Sequence, residues 1–226
     1  MDITSKTKTK IVRILNAIES GDPDGDYGKV SIFEDGPGNI EQITYGTAQT
    51  TEFGNLKKLI ELYISKRGNY ADDFKDYVDS IGQKPSLAAN NHFIELLQNS
   101  ADDPIMMEAQ DEFFDSHYWS RAYKWAITNG FKHPLSMLVI YDSYVHSGSI
   151  LSFLRKRFSA RPPAAGGSEK EWIKQYVSAR HNWLATHRTR PILRKTIYRT
   201  RMLRQEILDD NWSLSGQVNA NGAIVD

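Results

Sequence analysis

Two carboxylates near the start of the chain have the spacing of an acid–base pair. Glu19 comes directly after four apolar residues at helical spacing, which are Ile11, Ile14, Leu15 and Ile18. The sequence Ser-Gly-Asp-Pro at 20–23 ends this predicted helix. Glu19 therefore lies at the negative end of the helix dipole, where ionisation is disfavoured. A carboxyl group that keeps its proton near neutral pH suits general acid catalysis.

Asp35 lies where a predicted strand meets a turn. The β-rich segments 29–35 and 40–46 flank a Gly-Pro-Gly-Asn sequence, and this pattern predicts a β-hairpin with Thr44 on the returning strand. Two carboxylates on separate rigid elements are the minimal equipment for glycoside hydrolysis. The alternative is that Glu19 is an exposed helix end and Asp35 an ordinary turn residue, because acidic residues are common in turns.

The rest of the chain is predicted to be helical. Asn55 can cap the helix that follows the hairpin. Apolar periodicity predicts further helices at about 70–80, 86–98, 105–128, 134–146, 149–158, 169–187 and 191–208. The segment 213–226 is rich in Gly and Asn without periodicity, so we expect a loose tail. These elements predict an α+β protein that is mostly α-helical.

Length and composition limit the remaining possibilities. A chain of 226 residues allows one large domain or two small ones, and no apolar segment approaches the length of a transmembrane helix. The N-terminus lacks the apolar core of a signal peptide, so we expect a protein that is cytoplasmic when made, or that leaves by another route, or that is part of a longer chain. Cys is absent and the six His residues form no metal-binding motif, so we expect neither a metal nor a cofactor.

The net charge of zero hides an asymmetry along the chain. Residues 1–150 carry 14 Lys and Arg against 22 Asp and Glu, whereas residues 151–204 carry 14 against 2. This basic segment suggests contact with an anionic partner or with the acidic half of the chain itself. A nucleic-acid-binding module is therefore an alternative, although few aromatic residues are interleaved with the basic ones. The basic run consists of Arg188, Arg190, Arg194, Lys195, Arg199, Arg201 and Arg204.

Asp142 is a carboxylate inside an apolar segment, residues 138–145. A buried carboxylate needs a cationic partner, and the basic helices offer several arginines. The functional interpretation is an Arg–Asp network that orients the catalytic acid, and the alternative is a purely structural ion pair. The arginines available are Arg180, Arg188, Arg190, Arg194 and Arg199.

Three motifs, in this order, resemble those of the family 46 chitosanases in the lysozyme-like superfamily. The first is Glu19-Ser followed by Tyr27 and, eight positions later, Asp35. The second is the segment 138–148 with its Tyr-Asp pair, and the third is the Gly-Gly-Ser-Glu loop with the helix after it, residues 166–180. The resemblance extends over roughly residues 10–212. It implies a lysozyme-like fold for a single catalytic domain, residues 1–212, with two lobes and a small hairpin beside the cleft.

The resemblance also implies a role for each matching residue. Glu19 would be the general acid, and Asp35 the base that activates water on the opposite face of the sugar, which gives inversion. Thr44 would help to hold that water. Asp142 and Arg180, with Arg194, would form an ionic network behind the acid.

The hairpin departs from the family's pattern, because a longer return strand separates Asp35 from Thr44. This longer hairpin is similar to that of phage-type lysozymes, and Glu34 or Glu41 could replace Asp35 as the base. Together with Asn55, these two are also candidates for substrate contact or support.

The hairpin and the charge distribution also bear on the substrate. Chitosan is a polycation that needs an acidic cleft, whereas the peptide stems of peptidoglycan carry carboxylates that suit the basic segment. We therefore favour peptidoglycan over chitosan. A protein of this kind could be an endolysin domain or an antibacterial effector that acts on a target cell wall, with an immunity protein or a delivery-machine fusion as partner.

Overall fold

The first apolar stripe forms a helix that ends where the sequence predicts. The computed structural model describes residues 3–47 and 49–226, and its helix α1 spans Ser5–Ser20. The hydroxyl of Thr4 caps the helix by accepting the N–H of Thr7 at 3.2 Å. Gly21 ends it with a φ of 84°, a left-handed conformation that glycine adopts without steric cost. Glu19 therefore lies in the last turn of α1.

The other elements follow along the chain. The strands and α-helices are β1 Val30–Phe33, β2 Gln42–Tyr45, β3 Thr50–Thr51, α2 Lys57–Ser65, α3 Ala71–Lys75, α4 Asn91–Ser100, α5 Pro104–Phe114, α6 Ser120–Thr128, α7 Pro134–Ser147, α8 Ser152–Arg155, α9 Glu169–Ala185, α10 Ile192–Lys195, α11 Ile197–Leu208, β4 Val218–Ala220 and β5 Ala223–Val225. Two π-helices are Glu52–Leu56 and Asp115–Trp119, and two 3₁₀ turns are Leu87–Ala89 and Pro163–Ala165. The predominantly helical α+β class is confirmed.

The chain divides into two units. The first contains residues up to Asp24 and from His117 to Asp226, and the second contains Gly25–Ser116. The prediction of one catalytic domain with two lobes stays a prediction.

Helix α7 is the centre of the first unit. Every residue from Leu135 to Tyr144 is buried, because α1, α6 and α9 pack around the helix. A helix that is apolar on all sides is stable only when it is enclosed in this way. Asp142 therefore lies inside the unit, where its charge must be compensated.

The tail predicted to be loose is instead folded. Strands β4 and β5 form an antiparallel hairpin in which Val218 pairs with Val225, and both side chains are fully buried. The hairpin packs against α1, and β4 also contacts α11. Three-residue strands are too short to show periodicity in the sequence. They can be recognised only from their packing against α1 in the structure.

The second unit has a three-stranded antiparallel sheet in the order β1-β2-β3. The predicted hairpin is β1 and β2, with Ser31 opposite Thr44 and Phe33 opposite Gln42. Strand β3 adds a third strand beside β2, with Thr51 opposite Thr44. The unit's core contains the buried apolar side chains of β2, α2, α4 and α5.

Asn55 does not cap the helix after the hairpin, which corrects the sequence prediction. It lies inside the π-helix Glu52–Leu56, and the residue that precedes α2 is Leu56, which makes no side-chain cap. The π-helix joins directly onto α2, so no free helix end remains at Asn55 for a cap to satisfy. Within the described residues, no helix is both long and apolar enough to span a membrane.

Candidate active site

Glu19 is held by a buried arginine of α11. The side chain of Glu19 is 24% exposed, and its Oε1 lies 2.7 Å from Nη1 of Arg199, which is only 1% exposed. The neighbouring Tyr198 donates its hydroxyl to the carbonyl of Ile18 at 3.0 Å. The end of α1 is thus fixed to α11 through both its backbone and its carboxylate.

Asp142 links Arg199 to a second buried arginine. One carboxylate oxygen accepts from Nε of Arg199 at 2.8 Å, and the other accepts from Nη1 of Arg180. Burial by itself raises the pKa of Asp142, but the two guanidiniums outweigh it and hold the pKa below its ordinary value. The predicted ionic network of Asp142 and Arg180 is therefore present, and it reaches Glu19 through Arg199.

Arg199 occupies the place that the sequence analysis gave to Arg194. Arg194 lies on the four-residue helix α10 with its side chain exposed, and no hydrogen bond or ion pair joins it to the network among the described residues. The two arginines are five residues apart, and a turn at Thr196 separates α10 from α11. Spacing alone does not reveal such an interruption, so it does not identify which arginine faces α1.

His146 lies one helical turn after Asp142 on α7. Burial, together with the nearby charges of Arg180 and Arg199, lowers the pKa of His146 to about 3. This histidine is therefore neutral over the ordinary working range of an enzyme.

Asp35 lies in the second unit, on an exposed turn after β1. Its Oδ1 accepts a hydrogen bond of 2.8 Å from Nε2 of Gln42, which is buried on β2. Glu34 and Glu41 are also exposed, but no hydrogen bond or ion pair of their side chains is found in the described part of the chain. Asp35 is thus the carboxylate of these three that has a defined partner.

The turn after Asp35 requires glycine at its first position. The N–H of Gly36 donates to the carbonyl of Ile40 at 3.0 Å, and the N–H of Asn39 donates back to the carbonyl of Gly36 at 2.9 Å. A Cβ atom on Gly36 would lie 2.8 Å from the carbonyl oxygen of Ile40, so a larger residue would open the turn. The turn therefore fixes the backbone that carries Asp35.

Thr44 has a different environment from the one its predicted role requires. It is 5% exposed, and its hydroxyl donates to the carbonyl of Ser31 on the neighbouring strand at 3.1 Å. The hydroxyl is therefore used within the strand pair. Its role in holding a water molecule has no support in these contacts.

Two further residues of the second unit escaped the sequence analysis. Gln42 was overlooked because an amide on a strand has no catalytic signature, although its place two residues before Thr44 puts both on the same face. Glu52 is 1% exposed, and its carboxylate accepts from Leu87 N–H at 2.8 Å and from the hydroxyl of Ser86 at 2.7 Å. Across the described residues, no group of three or more His, Asp and Glu side chains is arranged to hold a metal ion.

Comparison with known proteins decides the family. The sequence profile of Glycosyl hydrolase family 46 matches residues 13–217. The chain belongs to glycosyl hydrolase family 46. It is therefore a glycoside hydrolase, and the resemblance found in the three motifs is confirmed.

Relatives and solved structures agree with this membership. A chitosanase from Bacillus subtilis (strain 168) is 24% identical over 229 residues, covering 94% of this chain and 80% of that protein. The structure of native chitosanase from Bacillus subtilis MY002 superposes with a TM-score of 0.81 at 22% identity and covers 100% of both chains. A family 46 chitosanase from Gynuella sunshinyii in complex with chitotetraose gives 0.81 at 18% identity, covering 99% of this chain and 98% of that one. These structures share the fold.

Proposed function

We propose that this family 46 protein is an inverting endo-glycosidase that hydrolyses chitosan, with Glu19 as the general acid and Asp35 as the base. The observation that carries the proposal is the fixed carboxylate of Glu19, at the end of α1, in a chain that matches the family over residues 13–217. The relatives support the choice of substrate. The Bacillus subtilis relative is a chitosanase, and a mutant chitosanase from Bacillus subtilis MY002, with a TM-score of 0.82, was solved with 6 GlcN.

The charge of the second unit also favours a cationic substrate. Residues 25–116 carry 7 Lys and Arg against 17 Asp and Glu, a net charge of −10. Glu34 and Glu41 are exposed near Asp35. Protonated glucosamine units are attracted to such a surface, and the attraction raises the local substrate concentration. The other unit carries the compensating excess of positive charge, 21 Lys and Arg against 11 Asp and Glu.

The proposed reaction is a single displacement. Asp35 removes a proton from water as the water oxygen bonds to the anomeric carbon, while the bond from that carbon to the leaving oxygen breaks. Glu19 gives its proton to the leaving oxygen. Arg199, held by Asp142, would keep the Glu19 carboxyl group in one orientation, so that its proton is aimed at the bond that breaks.

Peptidoglycan remains a second candidate because of one observation. The side chains of Arg188, Arg190, Arg194 and Lys195 are exposed in the first unit, and they would attract the carboxylates of peptide stems. The relatives favour chitosan instead.

One experiment separates the two candidates. Purified protein is incubated with chitosan and with purified peptidoglycan, and the products are identified by mass spectrometry. NMR of the first product gives the configuration at the anomeric carbon. We expect glucosamine oligosaccharides with inverted configuration, and a loss of about 10²–10⁴-fold in turnover for Glu19→Gln. Glu95→Gln, which makes the same chemical change on the exposed face of α4, is the matched control. Retained configuration, muropeptide products alone, or full activity of Glu19→Gln would overturn the proposal.

A further inference from the structure

The amide of Gln42 is held in one orientation by the backbone of the π-helix. Its Oε1 accepts the N–H of Phe53 at 3.3 Å, and its Nε2 donates to Oδ1 of Asp35 at 2.8 Å. Rotating the amide by half a turn would place oxygen against the carboxylate and nitrogen against an N–H donor, which removes both bonds. Because a backbone N–H can only donate, the contact with Phe53 decides that nitrogen faces Asp35.

The π-helix is itself fixed by the buried carboxylate of Glu52. This carboxylate accepts from Leu87 N–H at 2.8 Å and from Ile43 N–H at 3.3 Å, so it joins the π-helix to β2 and to the 3₁₀ turn at Leu87–Ala89. Short π-helical segments occur often at functional sites. The ring of Phe53 also lies beside the turn of Asp35, since a Cβ on Gly36 would be 3.4 Å from it. The π-helix therefore contacts both Gln42 and the turn.

We infer that Gln42 is the positioning residue for Asp35. Its amide N–H binds one carboxylate oxygen, and within the described chain no hydrogen bond occupies the other, which is left to accept the proton of water. The inference rests on the proposed function, because it requires Asp35 to be the base.

The test compares pH–rate profiles of four variants on chitosan oligosaccharides. Gln42→Glu keeps the shape and the bond from Phe53 but puts a second carboxylate 2.8 Å from Asp35. Two carboxylates this close share a proton, so the base loses its charge at a higher pH. We expect the acid limb of kcat/KM to move up by about one pH unit, which is about a tenfold loss of rate below that limb. Gln42→Leu lacks the hydrogen-bond donor and should move the acid limb in the same direction. KM should change little in either Gln42 variant.

Thr44→Val and Asp35→Asn are the other two variants. Thr44→Val removes the bond to Ser31 and should leave the acid limb in place. The acid limb could instead be unchanged in both Gln42 variants, while their thermal unfolding stays cooperative and Asp35→Asn is inactive. This result would show that Gln42 is merely structural. A shift in Thr44→Val alone would show that Thr44, and not Gln42, positions Asp35. Full activity of Asp35→Asn would instead overturn the assignment of the base, and this inference with it.

Discussion

The carboxylate of Glu19 meets a buried guanidinium, whereas that of Asp35 meets a neutral amide beside an exposed turn. In the first unit, the carboxyl group of Glu19 contacts Arg199, and Arg199, Asp142 and Arg180 form a fully buried chain of alternating charges. In the second unit, Asp35 is followed by Gln42 and the N–H of Phe53, without a further charge.

The two carboxylates differ in how strongly a substitution among their neighbours should affect them. A buried ion chain loses much of its stability when one charge is removed, because the remaining charges cannot return to water. A substitution of Gln42, in contrast, removes only one or two hydrogen bonds between uncharged or exposed groups. We therefore expect changes around Glu19 to reduce stability and activity together, and changes around Asp35 to alter mainly the pH dependence of the rate.

The largest effect is expected for Asp142→Asn. Without the carboxylate, the buried guanidiniums of Arg180 and Arg199 face an amide, and the free energy of unfolding should fall by about 3–5 kcal/mol. Turnover should fall as well, because Arg199 loses its second anchor. Urea denaturation measures the stability. Asp24→Asn, which breaks an exposed pair with Arg13, is the control and should change it far less. A loss for Asp142→Asn as small as that of the control would contradict the role of the buried chain.

A smaller loss is expected for Glu52→Gln in the second unit. The amide cannot accept all the bonds that the buried carboxylate accepts, and each unsatisfied donor costs about 1–3 kcal/mol. Hydrogen exchange at Leu87 and Ile43 should become faster, because their N–H groups lose their acceptor. Glu95→Gln, on the exposed face of α4, serves as the reference. Unchanged exchange at both amides would mean that Glu52 does not fix the π-helix.

The effect that is smallest near neutral pH is the pH dependence of stability through His146. Its pKa is lowered from 6.5 to about 3, so between these values the unfolded chain binds a proton that the native protein does not. The free energy of unfolding therefore falls as the pH falls through this window, by at most about 1.4 kcal/mol per pH unit. Urea denaturation at several pH values should show a flatter dependence for His146→Gln. Equal slopes in the two proteins would show that His146 is not kept neutral.

Much of the fold could be predicted from local signals. The stripe of Ile11, Ile14, Leu15 and Ile18 and the cap at Gly21 predict α1 and its end, and the Gly-Pro-Gly-Asn turn predicts the hairpin. The signals failed where a neighbour decides the structure. Asn55 has the chemistry of a cap, but the π-helix leaves it no helix end, and the tail hairpin is formed because α1 and α11 cover it.

The sequence predicts which charged residues form the candidate site, but it does not predict which residues each of them contacts. A carboxylate at 142 inside an apolar helix requires arginines, and Arg180 is one of them. The choice between Arg194 and Arg199 depends on how α10 and α11 are separated, and the partner of Asp35 depends on the amide orientation of Gln42, which is set by a residue eleven positions away.

The sequence by itself determined the family, the helical character, the end of α1 at Glu19 and the turn that carries Asp35, because these follow from periodicity, caps and motif spacing along the chain. Only the tertiary structure decided that Arg199 holds Glu19, that the amide of Gln42 contacts Asp35, and that the tail is folded. The contact of Glu19 with Arg199 and the packing of the tail on α1 join residues that are far apart in sequence, and the contact of Gln42 with Asp35 depends on the π-helix that fixes the amide. No local pattern encodes this packing between elements.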